Sequence, residues 1–104
     1  MALDKTEQEK VQIYRKSSYF RNITRLDGVE WADEETAEYE IFNSLGNIIE
    51  AAPISKSGDN MAFELRLTNT ASWERGKVYI MTIRIMNSET GYSDVVREVE
   101  FLVK

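Results

Sequence analysis

The chain has 104 residues and a formal net charge of −5, and 42% of its residues are hydrophobic and 11% aromatic. This composition predicts one globular domain and excludes wholesale disorder. The absence of cysteine and histidine excludes disulfides and thiolate zinc sites and removes the commonest general base. No apolar run reaches the roughly 18 residues of a membrane span, and the polar start resembles no signal peptide, so we expect synthesis in the cytoplasm.

Apolar and polar residues alternate with the period of two that is typical of strands. Residues 1–9 lack apolar anchors and are predicted to form a flexible arm, followed by a single domain over residues 10–104. In the domain we expect seven strands, at residues 11–15, 19–26, 36–42, 48–52, 61–67, 77–87 and 95–103. Turn-forming clusters separate them, as at residues 44–47 (SLGN), 55–60 (SKSGDN) and 87–94 (NSETGYSD). Seven short strands spaced by turns predict an all-β sandwich.

The alternation also predicts which side chains face the core. Four residues of the last strand share the inward side, namely Val95, Val99, Phe101 and Val103. The strand at residues 36–42 points Ala37, Tyr39 and Ile41 inward. Three apolar residues fall on the face opposite the core and are additional contact candidates, namely Ile80, Met86 and Leu102.

The segment at residues 73–79 (WERGKVY) carries a resemblance to a known fold. Trp73 is followed three positions later by Gly76 and three further on by Tyr79, which opens an alternating strand. This spacing resembles the corner of immunoglobulin-like and fibronectin type III-like domains. The resemblance implies an immunoglobulin-like antiparallel β-sandwich of about seven strands. It also implies that the Tyr79 hydroxyl bonds to the backbone of the preceding corner and that Trp73 caps the core.

The layout of strands and turns over residues 11–103 is similar to the small sandwich domains of tailed-phage virion proteins, of the baseplate or of head and tail accessory type. Many of those domains carry a leucine-threonine-glycine step where this chain has Trp31, Ala32 and Asp33. The resemblance implies a non-enzymatic structural or assembly subunit that becomes part of a virion. Its partners would be other virion or assembly proteins, or further copies of the chain, and it would need no cofactor.

Charge is unevenly distributed along the chain. Eight of the 18 acidic residues lie in a stretch without lysine or arginine: Asp27, Glu30, Asp33, Glu34, Glu35, Glu38, Glu40 and Glu50. An acidic surface here would attract a basic partner. A neighbouring copy would offer the basic residues near the start of the chain, Lys10, Arg15, Lys16, Arg21 and Arg25. The same pattern is also typical of a solvated strand face that discourages edge-to-edge pairing.

Three aromatic residues are candidates for binding. Trp31 lies within the acidic stretch and is predicted to be an exposed interface anchor, because tryptophan is enriched at interfaces. Tyr92 is expected at a hairpin tip, whereas Trp73 is expected in the core. The predicted contact surface therefore consists of Trp31, Asp33, Glu34, Glu35, Glu38, Glu40 and Tyr92. The alternative function is a carbohydrate- or peptide-binding module in which Trp31 and Tyr92 form a stacking platform.

Other functions are disfavoured by the residue types present. Residues 28–35 lack the alternating spacing and central glycine of a calcium loop, so we predict no metal site. No Ser-x-x-Lys motif occurs, and a small sandwich rarely encloses a cleft that would raise a carboxyl pKa, so we predict no catalytic residue and no enzyme activity. The sequence pI of about 4.8 and the lack of a basic stripe disfavour nucleic-acid binding.

Overall fold

The structure is a computed structural model that describes residues 7–68 and 70–104. Its strands are β1 (Glu7–Ile13), β2 (Tyr19–Thr24), β3 (Glu35–Phe42), β4 (Ile48–Lys56), β5 (Ala62–Leu67), β6 (Val78–Asn87) and β7 (Tyr92–Val103). All seven correspond to strands predicted from the sequence. The bounds of β1 and β4 differ from the prediction by four residues at one end, and the others by three or fewer.

The strands form two layers that share β4. The first is a five-stranded sheet in the order β1-β7-β6-β3-β4, and the second is a three-stranded sheet in the order β4-β5-β2. β4 pairs with β3 as far as Ile54 and then with β5 through Ser55 and Lys56, so it crosses between the layers. Neighbouring strands are antiparallel except for the parallel pair β1–β7. The protein is thus an immunoglobulin-like β-sandwich, as predicted.

The core lies between the layers because alternate residues of each strand are apolar and point inward. Ala37, Tyr39 and Ile41 are buried on β3, which confirms the predicted orientation of this strand. The side chains with no exposed surface include Ile41, Leu67, Met81, Ile83, Val99 and Phe101. Each fully buried side chain of this size contributes about 1.5–3 kcal/mol relative to its exposed state. The side chains between the buried positions therefore point away from the core, on the outer faces of the two sheets.

The predicted corner before β6 is present. The Tyr79 hydroxyl accepts a hydrogen bond of 2.9 Å from the backbone N–H of Glu74, and Trp73 stacks on the Tyr79 ring with centroids 4.5 Å apart. Gly76 has a φ of 77°, in the left-handed region that side-chain-bearing residues rarely adopt. Its N–H donates to the carbonyl of Val103 at 2.8 Å. The corner therefore ties the entry of β6 to the end of β7.

The two lateral sides of the sandwich are closed in different ways. On one side the chain itself joins the layers, because β4 runs from one to the other. On the other side the Glu9 carboxylate on β1 accepts hydrogen bonds from Tyr19 and Arg21 on β2, at 2.5 and 2.7 Å. Glu9 faces the second layer because it has the same parity on β1 as the core residue Ile13. We call Glu9, Tyr19 and Arg21 the Glu9 clasp.

Three local expectations were wrong. Residues 7–9, predicted to belong to the arm, lie in β1 because they pair with β7; residues 1–6 lie outside the described residues. β4 continues past Ala52 and includes Pro53, which has no N–H to donate. The strand tolerates this proline because no described strand borders its second side at that position. In β7 a register shift leaves Val96 without a partner on β6 and sets Val95 opposite Arg84. The extra residue reverses the alternation, so Val96 rather than Val95 packs against the core.

Candidate functional site

The outer face of the five-stranded sheet carries an exposed group of apolar side chains at one end. In β6 the residues between the buried positions point outward, among them Val78 and Ile80. Direct cross-strand pairing places Ile80 beside Phe42, Phe42 beside Ile48, and Val78 beside Leu102. These residues, with Leu45 from the turn that follows β3, are here called the apolar cluster: Phe42, Leu45, Ile48, Val78, Ile80 and Leu102.

The apolar cluster is open to solvent. Leu45 is 84% exposed, Ile48 54% and Leu102 36%, whereas Phe42, Val78 and Ile80 are half-buried by their neighbours. The β3–β4 turn that carries Leu45 is held to the sheet by the Ser44 hydroxyl, which donates to the carbonyl of Val78 at 3.1 Å. A further exposed residue, Ile49, lies at the register shift between β3 and β4. Cross-strand pairing thus makes the strand residues of the apolar cluster a contiguous surface, with Leu45 in the adjoining turn.

Four carboxylates lie on the same sheet face as the apolar cluster, and three of them, Glu40, Glu98 and Glu100, are next to it. Glu38 and Glu40 alternate with buried residues on β3, and Glu98 and Glu100 alternate with buried residues on β7. Thr82 of β6 pairs with Glu40 on one side and Glu98 on the other, so these two carboxylates flank a single residue. We call Glu38, Glu40, Glu98 and Glu100 the carboxylate band. Lys10 approaches Glu100 at 4.0 Å but is 87% exposed, so this ion pair is weak.

The remaining predicted acidic residues are not gathered into one surface. Arg25 donates to the carboxylates of Asp27 and Glu35, and Glu35 also accepts from the N–H of Ala32. The backbone N–H of Val29, followed by the guanidinium of Arg25, lowers the pKa of Asp27. These contacts engage Asp27 and Glu35 within the chain. Within the acidic stretch, Asp27 and Glu35 are thus held in internal pairs, whereas Glu38 and Glu40 belong to the carboxylate band.

Glu50 is likewise occupied within the fold. Its carboxylate accepts a hydrogen bond from the Tyr39 hydroxyl. Burial, and secondly this bond to a negatively charged group, raise the pKa of Tyr39 above its ordinary value. Ile41 lies opposite Glu50 and faces the core, so Glu50 also points toward the inner side of the sheet. Glu50 therefore does not contribute to the outer face.

Trp31 was predicted to be exposed, and this prediction was wrong. Its side chain is only 9% exposed, and its indole N–H donates to the carbonyl of Ile23 at 3.1 Å. The ring packs on Phe63 with centroids 4.9 Å apart, and the Arg25 guanidinium lies over it at 5.6 Å. The connection between β2 and β3 folds over the core because the N–H of Trp31 is bonded to the carbonyl of Asn60. Trp31 is a core residue and cannot serve as an exposed anchor.

The other predicted contact residues lie at the end of the sheet opposite the apolar cluster. Tyr92 is half-buried and pairs with Asn87 at the start of β7. Burial, followed by the charge of Asp94, raises the pKa of Tyr92. The carbonyl of Glu34 accepts from the N–H of Ser88, which brings Glu34 to this end, and Asp33 is exposed nearby in the chain. Of the predicted set, Glu40 is therefore the residue that borders the apolar cluster, and Glu38 lies one row further away on the same face.

Ile80, Met86 and Leu102 do lie on the face opposite the core, as predicted, with Met86 near the Tyr92 end. Phe42, Leu45 and Ile48 were not singled out from the sequence. The signal was available in the pattern, because Phe42 has the same parity as the outward residues Glu38 and Glu40. A large apolar residue on a strand's polar side marks either a second buried face or a contact surface.

Neither a metal centre nor a membrane span is present in the described part of the chain. There, no group of three or more acidic residues is positioned to hold a metal ion. No helix long and apolar enough to span a membrane occurs among the residues described. A cleft of about 340 Å³ lies where β4 leaves the first layer, lined by residues that include Tyr39, Ile54 and Leu65. Its charged lining residues Glu64 and Arg66 are 3.7 Å apart and pair with each other.

Fold and surface together define an immunoglobulin-like β-sandwich with an exposed apolar cluster and a carboxylate band on one sheet. No family model and no curated protein sequence matches the chain. Among solved structures, it is similar to a chain from the crystal structure of ICOS in complex with ICOS-L and an anti ICOS-L VNAR domain. The similarity has a TM-score of 0.48 and 13% identity, and it covers 95% of this chain and 55% of that one. The fold assignment depends on the strand order and not on this similarity.

Proposed function

We propose that the chain is a non-enzymatic structural or assembly subunit that binds another protein through the outer face of its five-stranded sheet. The observation that supports this is the apolar cluster, in which exposed Ile48 and Leu102 pair with half-buried Phe42 and Val78, and exposed Leu45 lies in the adjoining β3–β4 turn. A contiguous apolar surface of this kind is typical of protein contact sites. Burying it would release ordered water and contribute about 25 cal/mol for each Å² of apolar surface removed from water.

Exposed apolar residues elsewhere in the chain provide the contrast. Leu26 is 107% exposed and Val29 54%, but both lie in the connection between β2 and β3 rather than on a sheet face. Single exposed apolar residues are normal on soluble proteins and require no partner. The apolar cluster differs because cross-strand pairing places all its members except Leu45 side by side on one sheet face. Leu26 and Val29 are therefore suitable control positions for Leu45 and Ile48.

Membership of a tailed-phage particle is the narrower form of the proposal and follows from the resemblance over residues 11–103. Mass spectrometry of density-purified particles from cells that encode the chain tests it. Detection of the chain at a fixed ratio to the major capsid protein is expected. Recovery only in the soluble fraction of the lysate would contradict the virion assignment but leave protein binding standing.

Selection from a displayed library of random 15-residue peptides tests the proposed function. We expect enriched peptides to bind the wild-type chain and to lose at least about tenfold in affinity for the double variant Leu45→Ser/Ile48→Thr, because hot-spot contacts are apolar and central. The matched control is Leu26→Ser/Val29→Thr, which should bind like the wild type. Failure to enrich any peptide, or equal loss in both variants, would overturn the proposal.

A further inference from the structure

We infer that the partner of this face is a basic protein surface, with an apolar centre flanked by lysine or arginine side chains, and is not a second copy of the chain. The inference depends on the proposed function, since it names the partner of the same surface. It is drawn from the carboxylate band rather than from the apolar cluster. The two features have separate experimental readouts.

The carboxylate band and the apolar cluster share a border. The row Glu98–Thr82–Glu40 lies next to the row that contains Ile80 and Phe42, two residues further along the strands. Rows on one sheet face are about 7 Å apart along a strand, and neighbouring strands are about 4.8 Å apart. A partner side chain inserted into the apolar cluster would therefore hold its flanking residues within reach of Glu40 and Glu98.

The carboxylate band is poorly neutralised within the described residues. There, Glu38, Glu40 and Glu98 take part in no ion pair. Arg84 pairs directly with Glu38 across the strands, yet its guanidinium donates to the Ser93 hydroxyl instead. Glu38 has Arg84 as a cross-strand neighbour, and Glu100 has Lys10. In the described strands Glu40 and Glu98 have no basic cross-strand neighbour, so their negative charges are not compensated. This local excess of negative charge makes the face complementary to a basic partner.

Several acidic residues elsewhere in the fold are paired with arginine side chains. Glu9 is paired with Arg21, and both Asp27 and Glu35 are paired with Arg25. These arginines lie on β2 or just after it, away from the outer face of the five-stranded sheet. On the outer face, the carboxylates of Glu40 and Glu98 are therefore left open by the cations of the described part of the chain.

Protection of a sheet edge does not explain the carboxylate band. Charged residues that discourage edge-to-edge pairing are expected on edge strands. In the five-stranded sheet β7 lies between β1 and β6, and β3 lies between β6 and β4. Glu40 and Glu98 are therefore in the interior of the sheet, where no backbone edge is available for pairing.

A second copy of the chain is a poor partner because it would present the same negative charges on this face. A two-fold symmetric contact would place this face against itself, so both carboxylate bands would lie in one interface. Like charges across an interface cost free energy, whereas a basic partner gains attraction and faster association. We therefore expect the isolated chain to remain monomeric in sedimentation velocity at low salt. A salt-insensitive dimer that Ile48→Thr dissociates would overturn this part of the inference.

The composition and charge dependence of the selected peptides test the partner class. The 15-residue peptides enriched at low salt are expected to carry lysine or arginine on both sides of an apolar centre. Glu40→Gln/Glu98→Gln should lower their association rate at least about tenfold, because electrostatic steering is lost. The matched control is Glu30→Gln/Glu89→Gln, which removes two exposed carboxylates outside the face and should change little.

The possible results separate the inference from the proposed function. Peptides that require Leu45 and Ile48 but lack basic residues, or keep their association rate in Glu40→Gln/Glu98→Gln, would overturn the inference and leave the proposed function intact. Peptides enriched in basic residues that lose equal affinity in both charge variants would also overturn it, since binding would then follow net charge alone. Failure to enrich any peptide would overturn both.

Discussion

Replacement of Glu9 tests how the lateral side of the sandwich that β4 does not close is held together. The carboxylate is the acceptor for both the Tyr19 hydroxyl and the Arg21 guanidinium, so a single substitution removes both links of the Glu9 clasp. Glu9→Ala removes the acceptor and the charge, whereas Glu9→Gln keeps an acceptor oxygen and removes only the charge. Glu98→Gln is a matched control on the neighbouring strand, because Glu98 lies on the outer face.

The expected loss follows from the two contacts and their exposure. A hydrogen bond to a charged group contributes about 1.5–3 kcal/mol, and a partly exposed ion pair about 0.2–1 kcal/mol. The side chains of Glu9 and Arg21 are 25% and 37% exposed, so water replaces part of what is lost. We expect Glu9→Ala to lower the free energy of unfolding by about 2 kcal/mol and the Tm by about 10 °C. Glu9→Gln should cost about 1 kcal/mol.

Urea denaturation of the four members of a double-mutant cycle measures the contact itself. Glu9→Ala and Tyr19→Phe should couple by about 1 kcal/mol, because each removes the same hydrogen bond. Glu98→Gln should stay within about 0.5 kcal/mol of the wild type. If the unfolding free energies lost in the two single variants add up to that of the double variant within about 0.3 kcal/mol, the hydrogen bond between the layers does not stabilise the fold.

Three further predictions concern buried aromatic residues. Burial, and secondly the bond to Glu9, raise the pKa of Tyr19 to about 12, so the unfolded chain releases this proton first, near pH 10. The stability that this group contributes is complete below pH 10 and is lost as the pH rises through 12. If Glu9→Gln left the ultraviolet titration curve of the tyrosines unchanged, the contribution of Glu9 to the pKa of Tyr19 would be refuted. Because Trp31 and Trp73 are both buried, tryptophan emission should be blue-shifted and weakly quenched by acrylamide, and a water-like emission maximum would refute the placement of Trp31. Tyr79→Phe keeps the ring stacking but leaves the Glu74 N–H without its acceptor, and should cost about 1–2 kcal/mol in thermal unfolding; no change would show that the corner bond is dispensable.

The strands and the corner could be predicted from the sequence because they depend on local patterns. Period-two alternation identifies a strand without knowledge of its partners, and β3 and β6 were located to within one residue at each end. The spacing of Trp73, Gly76 and Tyr79 is equally local. Both kinds of signal are contained within about ten residues of chain.

The predictions were wrong where residues distant in the sequence determine the burial, register or ion pairing of a side chain. Trp31 is buried because Phe63 and the carbonyls of Ile23 and Asn60 meet it, and no pattern near position 31 announces those contacts. The inward position of Val96 depends on a register shift against β6, since a bulge reverses the alternation within one strand. The acidic stretch does not form one surface for a similar reason, because Arg25 forms ion pairs with two of its carboxylates, Asp27 and Glu35.

The parallel pairing of β1 with β7 has a consequence for biosynthesis. The strand residue Glu7 pairs with Arg97, 90 positions later in the chain. At a synthesis rate of about 5–20 residues per second, β1 waits roughly 5–20 s for its neighbour to be made. During that interval its backbone is an unsatisfied template, but its sequence, EQEKVQI, is mostly polar and charged. A hydrophilic first strand of this kind is therefore a poor template for pairing with other chains before the last strand is made.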